Sequence, residues 1–132
     1  MAHERFSGFS HFNVCQQNVL EIMLNRDDMG NKLWIVKTTL PDSWREFEVT
    51  SFAQTLVESG AACVQHHKVS STYKWEGKIQ SDIEWALQIK VSDSNKQSVI
   101  SKIEEEHPYD VPQIVIHECD ASPSYTEWVN SQ

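Results

Sequence analysis

A chain of 132 residues has the length of one domain and can bury a core without staples. Its 19 acidic against 11 basic residues give a net charge of -8, which offers no electrostatic footprint to nucleic acid or an anionic membrane and favours cationic partners. Three widely spaced cysteines, Cys15, Cys63 and Cys119, without a C-x-x-C, write neither a disulfide framework nor a zinc knuckle and point to a reducing, cytoplasmic compartment.

Residues 1–32 read as an extension without the apolar core of a secretory signal. Its one apolar piece, "VLEIML" from Val19 to Leu24, is either a short helix packed on the domain or part of a mobile segment. No stretch approaches the roughly 20 apolar residues that cross a bilayer. Residues 33–132 carry the domain. "LWIVKTTL" (Leu33 to Leu40) is a β-branched and aromatic strand stopped by Pro41. Ser43 and Glu46 have capping-box spacing, Val49, Phe52, Ala53 and Leu56 form a helical stripe, and Gly60 is placed as a stop. "AACVQHHKVSSTYKW" is extended in character, and Glu76-Gly77 supply a turn.

From Ile79 to Val91, apolar odd positions alternate with polar even ones except at Ser81 and Ala86, so this is one long strand with two unlike faces. Ser94 and Gln97 suggest another capping box before Val99, Ile100 and Ile103, a helix ended by Pro108. "VPQIVIH" is almost continuously apolar and predicts a central strand. "SPSYTEWV" predicts a short helix with Pro123 in its first turn. The order is βαββαβ plus a C-terminal helix, the ferredoxin-like α+β sandwich. Thirteen extended residues reach about 44 Å, against a domain diameter near 36 Å. The β2-β3 hairpin must therefore bend or project beyond its domain, and the apolar face and unpaired edges of a projecting hairpin predict a homo-oligomer.

Cys63, His66 and His67 are soft and borderline ligands suited to copper or zinc. Alternation sets the two histidines on opposite faces, so one chain does not easily use all three. With a regular two-residue turn, Trp75 faces Lys78, Tyr73 faces Gln80 and Cys63 faces Lys90, and Cys63, His67 and Tyr73 share the polar face with Glu84 and Lys90. Glu104, Glu105 and Glu106 stand at the negative end of their helix, where the macrodipole disfavours them. They are either a solvated surface or a lure for a cation or basic partner. In "HPYDVP" the two prolines force His107 and Val111 to be extended. The corner either only aims a strand, or also holds His107 and Tyr109 for a ligand. No G-x-S-x-G, H-E-x-x-H, phosphate-binding glycine loop or RNP1 motif is present, and we expect no enzyme.

"AACV", "YKWEGKI", "IEWALQIK", "HPYDVPQIV" and "SPSYTEWV" follow one another in an order that resembles the CutA divalent-cation tolerance family. The resemblance implies a fold related to the PII signalling proteins, a homotrimer packed through long hairpins, and binding of copper or another divalent cation in metal tolerance, with no obligatory cofactor. It also implies an intersubunit cleft lined by Tyr73, Trp75, Glu84, Lys90, His107 and Tyr109, with Cys63 as the motif cysteine. The alternative is a PII-like sensor that binds a small anionic ligand in that cleft and signals to a protein partner. The sequence departs from the family where "QHHKVSST" lacks a Pro-Gly bulge and carries His66 and His67, and where Gln113 replaces a frequent glutamate.

Overall fold

The computed structural model describes residues 32–132. Cys15 and the Val19–Leu24 segment lie outside the described residues. The elements run β1 (Lys32–Pro41), α1 (Glu46–Glu58), β2 (Cys63–Trp75), β3 (Lys78–Val91), α2 (Asp93–Glu106), β4 (Val115–Asp120) and α3 (Pro123–Asn130). The four strands form one antiparallel sheet in the order β2-β3-β1-β4, which is the ferredoxin-like arrangement.

Strand alternation divides the sheet into two faces. On the core face Val36, Leu40, Trp85, Leu87, Ile89 and Val91 meet the apolar stripes of the helices, Val49, Phe52 and Leu56 of α1 with Val99, Ile100 and Ile103 of α2. Leu33 and Val129 are buried outside this cluster, because α3 packs on β1 and β3 and covers one end of the opposite face. The rest of that face is open.

Local signals fix the boundaries, two of them displaced from the sequence reading. α1 begins at Glu46 with Arg45 as its N-cap, and Glu48 Oε1 accepts from the Arg45 N–H at 2.8 Å. The Ser43/Glu46 pair does not cap it. α2 is capped by Ser92, whose Oγ accepts from the Asn95 N–H at 3.3 Å, in place of Ser94. In both cases the cap lies two residues from the expected one, Arg45 for Ser43 and Ser92 for Ser94, because the chain direction set by the preceding strand decides which residue enters the helix. At the end of α1, Ala61 N–H donates to Leu56 O and Gly60 N–H to Val57 O, with Gly60 at φ +116°. This is a Schellman stop, and it needs the left-handed conformation glycine adopts freely.

Glu76 (φ 50°) and Gly77 (φ 78°) make the two-residue turn, with both residues in the positive-φ region that hairpins of this type require. Pairing runs unbroken from Trp75↔Lys78 to Cys63↔Lys90, so the missing Pro-Gly bulge leaves a regular register. β1 reaches only as far as Pro41↔Glu84. Beyond it, residues 70–83 have only each other, and Trp75, Ile79 and Ile83 are exposed. β4 corrects an expectation. It starts at Val115 and lies at the sheet edge, paired with β1 alone, with Val115 and Ile116 exposed. β1 and β3 hold the centre because the segment after α2 lays β4 against the free side of β1.

Candidate functional site

The open face of β2 and β3 carries Cys63, His67, Tyr73 and Trp75 along with Glu84 and Lys90, spread from the turn at Trp75 to the far end of the hairpin at Cys63↔Lys90. Tyr73 donates its hydroxyl to Asp82, two residues before Glu84 on the same face. Glu84 accepts from Tyr109 Oη at 2.8 Å. Two phenols and two carboxylates thus form one cluster. The bond to Asp82 raises the Tyr73 pKa, and burial followed by the Glu84 bond raises that of Tyr109 well above the ordinary phenol value. The Asp82 bond for Tyr73, and burial first of all for Tyr109, favour the protonated phenol. Asp82 was absent from the expected site, although its place in the polar alternation of β3, two residues from Glu84, was the available signal.

The HPYDVP corner carries Tyr109 to this face. α2 ends at Glu106, His107 is extended at ψ 134°, and Pro108 forbids a further helical residue before it. Both ring nitrogens of His107 are occupied within the chain. Nδ1 accepts from the Tyr109 N–H at 3.1 Å, so Nε2 bears the proton and donates to Thr39 O at 2.8 Å, with Thr38 Oγ1 at 3.2 Å. The ring stands 5.0 Å from that of Tyr109 and edge-on to Phe52 at 6.4 Å. Burial holds its pKa below the ordinary 6.5, against the Thr39 carbonyl and Glu84, which favour a proton. His107 is a lock on the corner, and Tyr109 is what the corner presents.

The soft ligands are dispersed. His66 points to the core face, edge-on to Trp85 at 5.5 Å with Nε2 3.4 Å from Glu46 Oε2. His67 is exposed on the open face opposite Ala86. Cys63 lies on the open face under α3, where the half-buried Tyr125 has its hydroxyl buried without a well-formed hydrogen bond and the Cys63 thiol beside it. Cys63 and Cys119 are free thiols, and burial raises the pKa of Cys119. Lys90 Nζ donates to Gln65 Oε1 at 2.6 Å and lies 6.0 Å from the Tyr125 ring centre. Among the described residues no three His, Cys, Asp or Glu side chains converge on one metal position within a chain.

The CutA1 divalent ion tolerance protein family model matches residues 34–132. The chain belongs to the CutA family. The CutA divalent-cation tolerance protein of Yersinia pestis (strain Pestoides F) is 31% identical over 99 residues, covering 74% of this chain and 82% of its own. The solved structure of CutA from Synechococcus elongatus PCC7942 superposes with a TM-score of 0.69 at 28% identity, covering 76% of this chain and 89% of that one. A PII-like CutA from Nostoc sp. PCC 7120 gives a TM-score of 0.65 at 31% identity, over 73% and 92% of the two chains. The CutA fold and the divalent-ion tolerance class follow from these matches.

Proposed function

We propose that this CutA chain forms a homotrimer that binds a divalent cation, copper first among those to test, where the open faces of its subunits meet. The observation that carries the reading is the Asp82–Tyr73 and Glu84–Tyr109 cluster, which gathers two carboxylates on the open face. His67, opposite Ala86, is a diagonal neighbour of Glu84 at roughly 7–8 Å between Cα atoms. Two such donors need a third ligand from another subunit. Cys63 is four residues from His67, roughly 13 Å along the strand, so its thiolate serves the same ion only across a subunit boundary. Assembly is supported by the hairpin, which extends Trp75, Ile79 and Ile83 beyond the reach of β1. The action is non-enzymatic, and the free thiols Cys63 and Cys119 favour a cytoplasmic setting.

Native mass spectrometry of the full chain during a copper titration tests this. The expected result is a trimer with a saturable, whole-number copper load that the Cys63→Ser, His67→Ala variant fails to reach. A monomer, uptake without a plateau, or equal uptake by the variant overturns the reading.

The PII-like description of the Nostoc relative favours a second reading, a sensor for a small anionic ligand that signals to a protein partner. Lys90 is its best anchor, although Gln65 and Tyr125 already engage that cation. Stabilisation of the trimer by an anion in a thermal-shift screen, lost in Lys90→Gln, would favour it over the cation.

A further inference from the structure

On the helical side, away from the open face, a groove runs along α1 toward the end of α2. Trp44, Phe47, Glu48, Ser51, Phe52, Thr55 and Glu106 line a volume of about 260 Å³. That is below the roughly 300–1,000 Å³ of small-molecule sites, and suits one or two side chains of a larger partner. From Phe47 to Thr55 the groove follows the helix for about 12 Å.

Its floor is rigid. Trp44 meets Phe52 edge-on at 5.8 Å, its carbonyl accepts from Trp85 Nε1 at 3.0 Å, and Phe52 is 6% exposed. Its lip is not. Phe47 is 66% exposed although it begins an otherwise well-packed helix. Glu48 and Glu106 flank the aromatic rings; Glu48 Oε1 accepts from the Arg45 N–H, and neither carboxylate forms a salt bridge with Lys or Arg among the described residues. Glu104, Glu105 and Glu106 crowd the last turn of α2 against its dipole, and Lys102 attends only Glu105.

We propose that this groove docks a segment of a partner protein in which arginine flanks an aliphatic anchor. The aliphatic side chain fills the Trp44–Phe52 floor, and guanidinium groups stack on Phe47 and meet Glu48 and Glu106. Charge selects this occupant. A second copy carries a net charge of -8, and residues 1–31 carry Arg5 and Arg26 against Glu4, Glu21, Asp27 and Asp28, a net of -2, so neither offers the net positive charge that an acidic lip favours. Such a partner also relieves the unfavourable anions at the α2 terminus.

The test is fluorescence anisotropy of a short fluorescein-labelled peptide of alternating leucine and arginine, titrated with the full chain. Saturable binding is expected, weakened about tenfold or more by Phe47→Ala and by Glu106→Gln, both at exposed positions that leave the fold intact. Absence of saturation, binding unchanged in both variants, or equal binding of a leucine-glutamate peptide overturns the proposal. So does tighter binding by the Phe6→Ser, Phe9→Ser, Phe12→Ser variant, which would assign the groove to residues 1–31, or an altered native mass of Phe47→Ala, which would assign it to a second copy.

Discussion

Replacing His107 by leucine separates a lock from a ligand. The substitution keeps an apolar side chain against Phe52 and Tyr109 but removes the proton given to Thr39 O and the acceptor for the Tyr109 N–H, and leaves Thr38 Oγ1 without its histidine neighbour. Each lost hydrogen bond is worth about 1 kcal/mol, and an acceptor left buried without a partner adds about 1 kcal/mol at the lower end of its range. The lower end applies because the ring is only half-buried, although Thr38 is 0% exposed. The sum is about 2–3 kcal/mol, a fall in Tm of roughly 8–24 °C for a domain of this size. Thermal melts at one fixed protein concentration read it, since the melting of an oligomer depends on concentration. His107→Asn returns an acceptor near the Nδ1 position and His107→Gln a donor near Nε2, so each recovers part of the loss. A Tm for His107→Leu within about 2 °C of the native value would refute the argument, and would return His107 to the role of a ligand-facing ring.

The other expectations are narrower. Because burial lowers the His107 pKa, the unfolded chain takes up a proton that the native ring resists; stability is complete above pH 6.5 and falls as the pH drops toward the folded value. Melts between pH 7 and 5 should show this slope in the native chain and a flatter one in His107→Asn, and parallel slopes would count against it. Gly60→Ala should destabilise by about 2–4 kcal/mol, since φ is +116° and a Cβ would stand 2.8 Å from that of Asn95. Gly77→Ala, at φ +78° with nothing within 4 Å, should lose about 1 kcal/mol; equal losses at the two sites would contradict the crowding. Ser92→Ala should lose about 1 kcal/mol of stability and Ser94→Ala much less, and urea titration showing the reverse order would move the cap of α2 back to Ser94.

What could be read from the residues was what neighbouring residues decide. The hairpin register from Trp75↔Lys78 to Cys63↔Lys90 follows from a Glu-Gly turn and a period of two, both local. The cap of α2 was displaced because the capping-box spacing favours Ser94 with Gln97, whereas the path out of β3 places Ser92, also a good N-cap residue, at the helix start. The central place expected for "VPQIVIH" rested on the premise that an apolar strand is buried by its own chain, whereas Val115 and Ile116 are exposed at an edge. The pinning of His107 was evident from the prolines. Its partners were not, since Thr38 and Thr39 lie 69 and 68 residues away, and nothing near His107 names them. The aromatic groove on α1 escaped notice for the same reason, as Glu106 joins it from another helix.

The strand order also sets a timetable. β2 and β3 are joined by a two-residue turn and zip from it, and β1 can pair with β3 at once, while the second edge of β1 must wait for a partner 78 to 88 positions downstream, from Lys37↔Val115 to Lys32↔Asp120 (115 - 37 and 120 - 32). Closing so long a loop is entropically slow, and hairpin closure takes about 1–10 μs. During synthesis the hairpin emerges with its apolar tip complete before β4 exists. Pulse-labelling hydrogen exchange should therefore find hairpin amides protected before those of β4. Until β4 arrives one edge of β1 stays open, so slow translation or a weakened β4 would send the nascent chain toward aggregation even where the finished protein is stable.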